Sequence, residues 1–191
     1  IVTPDGRITW YCAPRIDSSA VFAELVGGPA AGYFAVSPAD HSQPTGQRYV
    51  EDSMVLETQW KGFTVTDYLD ASGGRPDRLA GRSDLFRVIE GRGRVLVEFA
   101  PRLDFGRHLT RLAIREGGVE VVDTADLMVL RSPGVQWELT DDGRHHTARA
   151  EIELTGEPVV LEFRYGTAST KADSRTEEEH RSDTLAFWQD W

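Results

Sequence analysis

The sequence predicts an all-β fold, an antiparallel β-sandwich with a short helix near the N-terminus and a second helix at the C-terminus. Apolar and polar residues alternate with period two in many short runs, as half-buried strands require. Glycine, proline and aspartate turns separate those runs at the spacing of a sandwich. A chain of 191 residues buries roughly 70% of the surface of its unfolded form, enough for a two-layer core without metal or disulfide support.

In chain order, Asp5-Gly6 is a strong turn signal, and Ile8, Trp10 and Cys12 are expected on one face of the strand that follows. Pro14 ends that ladder and leaves Arg15 and Asp17 on a charged loop. Ser18 or Ser19 is expected to cap a helix from Ala20 to Val26, stopped by Gly27, with Phe22, Leu25 and Val26 as its apolar stripe. Strands are predicted at 32–36, 55–60, 63–68, 86–89 and 95–99, then at 111–115, 119–122, 127–131, 135–139, 148–154 and 159–165. Gly91-Arg92-Gly93, Gly117-Gly118 and Asp141-Asp142-Gly143 fall between runs and predict tight hairpins. Ser72-Gly73-Gly74-Arg75-Pro76-Asp77 predicts a surface connection. Ser174 with Glu177 reads as a capping box opening a helix over 175–191. Its early turns are polar, whereas Leu185, Phe187, Trp188 and Trp191 gather at its end. Burial leaves two fates open for it, docking on the sandwich or leading to a packing partner beyond.

Charge and cysteine usage narrow the partners. A net charge of -10 and a pI near 5.0 argue against nucleic acid and anionic membranes, which need clustered cations. No apolar run approaches the length of a membrane span. Cys12 is the single cysteine, which excludes an intrachain disulfide and is compatible with a reducing cytoplasm.

The chemistry-bearing residues form no recognisable catalytic set. Glycoside hydrolysis usually needs two carboxyl groups across a sugar bond, and 31 acidic residues offer no unique pair. His145-His146 lacks further ligands at metal spacing, and adjacent strand residues face opposite ways. His41, His108 and His180 read as surface or hydrogen-bonded histidines. The glycines form no phosphate loop, and no serine stands in a nucleophile elbow. Neither a metal nor a cofactor is expected. Trp10, Trp60 and Trp137 sit in alternating strands, where a core role outweighs a sugar-stacking one.

The stretch Ile8-Thr9-Trp10-Tyr11-Cys12-Ala13-Pro14-Arg15-Ile16-Asp17-Ser18, just after Asp5-Gly6, resembles a family signature. It is similar to the aspartate-glycine, tryptophan and proline-arginine-phenylalanine-aspartate-serine opening of the N-terminal domain in glycoside hydrolase family 15, the glucoamylase and trehalase-like enzymes. Arg48-Tyr49-Val50, Val55-Leu56-Glu57-Thr58 and Val65-Thr66-Asp67-Tyr68 resemble the next run of that domain. Leu85-Phe86-Arg87-Val88-Ile89-Glu90-Gly91, Val95-Leu96-Val97-Glu98-Phe99 and Pro101-Arg102-Leu103-Asp104-Phe105-Gly106-Arg107 resemble its hairpin and its proline-arginine corner. Phe187-Trp188-Gln189-Asp190-Trp191 is similar to the start of the helix leading into the family's catalytic barrel. Tyr11, Ile16, Leu103 and Phe105 replace leucine, phenylalanine, phenylalanine and tyrosine, swaps that preserve packing but remove a hydroxyl at Phe105.

The resemblance implies a super-sandwich over 1–172, with 173–191 beginning a linker helix toward an (α/α)6-barrel domain that carries the general acid and base. It implies an accessory role in an inverting α-glucosidase of glucoamylase or trehalase type, and no catalytic residue in this chain. The expected partners are the C-terminal catalytic domain, an α-glucoside at the domain interface, and a second copy of the chain through its exposed tryptophans. Trp10, Pro14, Arg15, Asp17, Ser18, Arg102, Asp104, Arg107, Trp188 and Trp191 are the expected interface or active-site-rim residues. On a plainer reading Arg15 and Asp17 only brace their corner by pairing with each other. The alternative of a different class is a stand-alone carbohydrate-binding or protein-interaction module.

Overall fold

The computed structural model describes residues 1–72 and 83–191, so the expected connection at 73–77 falls outside the described residues. The larger sheet is built, from one edge to the other, of β5 (Gly46–Tyr49), β6 (Leu56–Gln59), β7 (Phe63–Leu69), β8 (Ser83–Ala100), β14 (Val159–Tyr165), β11 (Met128–Arg131), β10 (Gly118–Val122) and β9 (Arg111–Arg115). The smaller sheet runs β1 (Arg7–Ile8), β4 (Tyr33–Pro38), β8 again, β13 (His146–Thr155) and β12 (Glu138–Asp141). All these pairings are antiparallel, and the two sheets enclose one apolar core, as the sandwich prediction required. A two-stranded ribbon, β2 (Tyr11–Cys12) with β3 (Ala20–Phe22), completes the strands.

The shared strand corrects one expectation. Gly91-Arg92-Gly93 is no hairpin turn: the chain runs straight on through it, leaving β7 and β14 for β4 and β13. Both glycines have extended backbone of inverted sign, φ 137° and 128°, which residues with a Cβ rarely adopt. At Gly91 a Cβ would also lie 2.4 Å from the Gly62 carbonyl oxygen. The glycines that looked like a turn are the bend that lets one strand serve two sheets.

The N-terminal helix is corrected as well. Ala20, Val21 and Phe22 pair with β2 as a strand and are all buried, so only a single helical turn remains, Glu24–Gly27. Neither Ser18 nor Ser19 caps it. Burial decided against the helix: the Phe22 ring lies 6.0 Å from each of Phe34, Phe99 and Phe163, while Phe99 sits 5.5 Å from Phe163 across the two sheets. Leu25 and Val26, the rest of the expected stripe, are left exposed. Ile8 and Tyr11 enter this main core, whereas Trp10 and Cys12 pack on a small alanine cluster, so Ile8, Trp10 and Cys12 do not share a face. The ladder breaks between β1 and β2, and the alternation shifts by one residue there. Trp60 and Trp137 are core residues, as expected. β12 begins at Glu138, later than the run at 135 suggested, and β5 was not foreseen because its residues are mostly exposed and polar.

Arg87 sits on β8 with none of its surface exposed. Its guanidinium forms a two-pronged pair with Asp67 of β7, Nε to Oδ1 at 2.7 Å and Nη2 to Oδ2 at 3.1 Å. Nη1 donates to the Phe34 carbonyl at 2.6 Å, and Nη2 also donates to the Gly6 carbonyl. The Phe34 ring lies under the guanidinium, 4.9 Å away. Burial pushes the Asp67 carboxyl upward, and Arg87 pulls against it.

Arg87→Met should lower stability by about 3–5 kcal/mol, because it strands a buried carboxylate. Adding Asp67→Leu should recover most of that loss. Urea melting of the single and double variants checks both. Gly91→Ala should destabilise more than Gly93→Ala in the same assay, since only the first meets neighbouring atoms.

Candidate functional site

Two loops that are distant in sequence form one corner of the molecule. The segment 13–19 leaves β2 through a cis Ala13-Pro14 bond, and 101–108 leaves β8. They are tied by the Ser19 hydroxyl, which donates to Asp104 at 3.0 Å, and by the Arg102 backbone N–H, which donates to the Val21 carbonyl at 2.8 Å. Asp104, Phe105 and Gly106 all have left-handed backbone, with φ of 50°, 60° and 79°. Two non-glycine residues in that region mark a chain held against its preference. The turn presents Phe105 to Trp10, ring centroids 5.9 Å apart, and Arg107 extends over the Phe105 ring at 5.9 Å.

Arg102 anchors this corner from below. Nη1 donates to the Pro101 and His146 carbonyls at 2.9 and 2.8 Å, and Nη2 donates to the Thr147 hydroxyl at 2.8 Å. Burial lowers its pKa from the usual arginine value, with Asp142 pulling the other way. Arg15 and Asp17 stand at the tip and form a two-pronged pair of 2.9 and 2.8 Å with both side chains largely exposed. The Ser18 hydroxyl accepts from the Arg15 backbone N–H at 3.2 Å. The two loops also expose apolar side chains: Ile16 is 93% exposed, Leu109 60% and Phe105 38%.

Eight of the ten expected interface residues therefore belong to this corner: Trp10, Pro14, Arg15, Asp17, Ser18, Arg102, Asp104 and Arg107. Trp188 and Trp191 lie elsewhere, on the C-terminal helix Glu177–Asp190. That helix is docked. Its Leu185 packs on Val55, Tyr68, Phe86 and Val88 at the outer face of the larger sheet. Trp188 is partly covered and Trp191 is 90% exposed. The capping box is formed by Thr176 and Glu179, two residues beyond the Ser174–Glu177 pair that the sequence suggested. Glu177 is occupied otherwise, accepting from the Tyr68 hydroxyl at 2.9 Å. Among the described residues no group of His, Cys, Asp and Glu is placed to hold a metal, and no helix is long and apolar enough to cross a membrane.

Residues 1–188 match the family of trehalase-like N-terminal domains. The chain belongs to that family. A 64-residue stretch is 36% identical to the trehalase of Mycobacterium tuberculosis, covering 34% of this chain and 9% of that protein. The trehalase of Thermoplasma acidophilum is 36% identical over 117 residues, which are 55% of this chain and 19% of the relative. Trehalase 2 of Sulfolobus acidocaldarius is 26% identical over 117 residues, 60% of this chain and 19% of its own length. The matched region thus spans less than a fifth of each of these relatives. In this trehalase-like N-terminal domain, the stretches that carried the sequence resemblance gather in two places: Gly6, Asp67 and Arg87 meet inside, and the 13–19 and 101–107 loops meet outside.

A polar latch under the C-terminal helix went unforeseen. His180 is buried, with Nδ1 3.1 Å from both Asp70 and the Ser72 hydroxyl, and the Ala71 backbone N–H donates to the Thr184 hydroxyl at 3.1 Å. Burial raises the Asp70 carboxyl, but hydrogen bonds from His180 and Ser72 outweigh it and bring the pKa to about 2. His180 is raised, first by its hydrogen bond to Asp70. Nothing local in sequence signals this pairing, since 110 positions separate the partners.

The two shifts set opposite limits on docking. The raised histidine contributes stability that is complete below its unfolded value of about 6.5 and is lost as pH climbs through its folded value. The lowered aspartate contributes stability present above its unfolded value of about 3.9 and lost as pH falls toward its folded value. Amide hydrogen exchange over residues 177–190 should therefore show the helix best protected between about pH 4 and 6.5. His180→Gln should flatten the alkaline side of that profile.

Proposed function

We propose that this domain is a non-catalytic companion of a glycoside hydrolase catalytic domain in a trehalase-like protein, and that it meets that domain through the corner formed by 13–19 and 101–109. The observation that carries this reading is the strained turn at 104–106, which sets Phe105 against Trp10 with part of its ring exposed, on loops that also expose Ile16 and Leu109 beside the charges of Arg15, Asp17 and Arg107. An apolar patch with a polar rim is the form of a docking surface. Family membership supports the reading, because the relatives named trehalase are several times longer than the region they share with this chain.

The inherited chemistry is inverting hydrolysis of an α-glucoside, with acid and base supplied by the partner domain and this corner bordering the active site. Arg15 and Asp17 then set the direction of a rim loop. The lone Cys12, its thiol pushed up by burial, suits a reducing cytoplasm, where thiols stay unpaired.

The 191-residue chain alone should release no glucose from trehalose, maltose or starch-like glucans. Glucose release that a single Asp or Glu substitution abolishes would overturn the non-catalytic reading. Asp17→Ala should hardly move the urea midpoint of the chain, because an exposed pair contributes under about 1 kcal/mol. In the protein carrying the catalytic domain, Asp17→Ala and Phe105→Asp should each cut turnover by about ten- to a hundredfold through misplacement of the rim. Unchanged turnover with a lowered midpoint would reduce the loop to a structural brace.

A further inference from the structure

The C-terminal helix is held to the larger sheet mostly by polar contacts. Its buried residues are His180 and Thr184, both polar, and Leu185 is the apolar side chain that it lays on Val55, Tyr68, Phe86 and Val88. Its remaining ties are hydrogen bonds spread along its length. The Tyr68 hydroxyl donates to Glu177 at 2.9 Å, Arg181 to Glu90 at 3.2 Å, the Ala71 N–H to the Thr184 hydroxyl at 3.1 Å and Gln189 to Glu51 at 2.8 Å. Beneath the helix the four apolar residues form a packed strip of their own, with the Tyr68 and Phe86 rings stacked 5.0 Å apart and no member more than 3% exposed.

The segment that joins the helix to the sandwich is held more loosely. Upstream of it, Arg164 fixes the chain by donating to the Ser169 and Lys171 carbonyls at 2.9 and 2.8 Å. From 172 to 176, the hydrogen bonds among the described residues run only within the segment or forward into the helix. The Ser174 hydroxyl and the Arg175 N–H donate to Asp173, the Arg175 guanidinium to Glu179 and Asp183, and the Thr176 N–H to Glu179. Between this segment and the two sheets lies a cavity of about 690 Å³, whose far wall includes Pro133, Gln136, Ile152 and Val159. Protein interiors are otherwise close-packed, so a segment spanning a gap of that size is not fixed by packing on that side. It can turn while Arg164 holds one end and the capping box of the helix holds the other.

We propose that the C-terminal helix is a strap that releases as one unit about a hinge at 172–176, uncovering the strip of Val55, Tyr68, Phe86 and Val88 while the sandwich stays folded. Proteins open in cooperative units, and those with few buried apolar contacts open at the smallest cost. The helix is such a unit. β8, by contrast, is paired on both sides along most of its length and feeds the main core. A helix of 14 residues is marginal in water once undocked, so release opens its amides to exchange. The strap stands or falls without the partner proposed for the corner.

The test is amide hydrogen exchange of the 191-residue chain, read residue by residue by NMR near pH 6, in the range where the His180 and Asp70 latch is complete. Amides over 181–187 are expected to exchange roughly a hundredfold faster than those of β8 and to share one protection factor. Low urea should speed the β8 amides steeply and the helix amides little, because release of the strap exposes far less surface than global unfolding. Thr184→Val removes the hydroxyl that meets Ala71 and Asp70. It should speed the helix amides about tenfold and leave β8 unchanged. Val97→Ala, a cavity in the main core, should do the reverse. The proposal is overturned if the helix amides are as slow as those of β8 or share their urea dependence. Equal acceleration of both regions by either variant would also overturn it, as would a Thr184→Val chain whose helix exchanges as before. Acceleration confined to the last turn is fraying and overturns it too.

Discussion

A fully buried arginine fixes how the two sheets meet. The Arg87 guanidinium holds Asp67 on its own sheet, the Phe34 carbonyl on the other, and the Gly6 carbonyl in the N-terminal turn. An arginine in that setting is tolerable only with its hydrogen bonds made in good geometry, because desolvation of an ion costs several kcal/mol. Every bond it makes therefore constrains a neighbouring segment. Gly6 shows the constraint most sharply: it has φ 75°, and a Cβ there would fall 2.5 Å from the Trp60 ring. The Asp5-Gly6 turn, the Thr66-Asp67 strand and the Arg87 strand are three separate stretches of the sequence and one contact in the fold.

The same geometry explains the course of β8. Its first half carries Arg87 and must remain paired with β7, while its second half carries Phe99 into the opposite sheet. A turn at 91–93 would send the chain back along the larger sheet and leave β4 and β13 without their common neighbour. Glycine at both bend positions lets the strand change direction without ending. Sequence periodicity marked the two halves correctly as strands, but turn propensity could not separate a reversal from a bend. Both use glycine because both need backbone angles of inverted sign.

Elements whose burial repeats every second residue were therefore legible, and most strands fall within a few positions of the sequence reading. Failures occurred where distant contacts overruled local preference. Ala20 to Phe22 suit a helix locally, yet Phe22 is surrounded by Phe34, Phe99 and Phe163. The capping box moved by two residues because Tyr68, more than a hundred positions away, engages Glu177. The outer corner was found through motif resemblance, which named both of its loops but could not join them. Ser19 and Asp104 are 85 positions apart, and neither carries a signal for the other. The cavity beside the C-terminal helix was hidden for the same reason, being walled by segments from four parts of the chain.

The use of carboxylates in this domain bears on the proposed pairing with a catalytic domain. Hydrolysis of a glycoside needs one carboxyl ready to give a proton and another free to direct water or attack. Here the buried and half-buried acids are engaged in cohesion: Asp67 faces Arg87, Glu162 lies between Arg164 and Arg131, and Glu177 meets Tyr68 and Arg181. Freeing any of them for proton transfer would release an arginine or a helix that the fold uses. Asp104 and Asp17 are engaged differently, in a turn and an exposed pair that shape the corner without closing it. The acids that hold the sheets together are inside, and those that shape a surface are at the edge where Phe105 and Ile16 face outward. That separation is the one the proposed role requires, since a loop can be placed beside another domain's active site only where no acid of the fold depends on it.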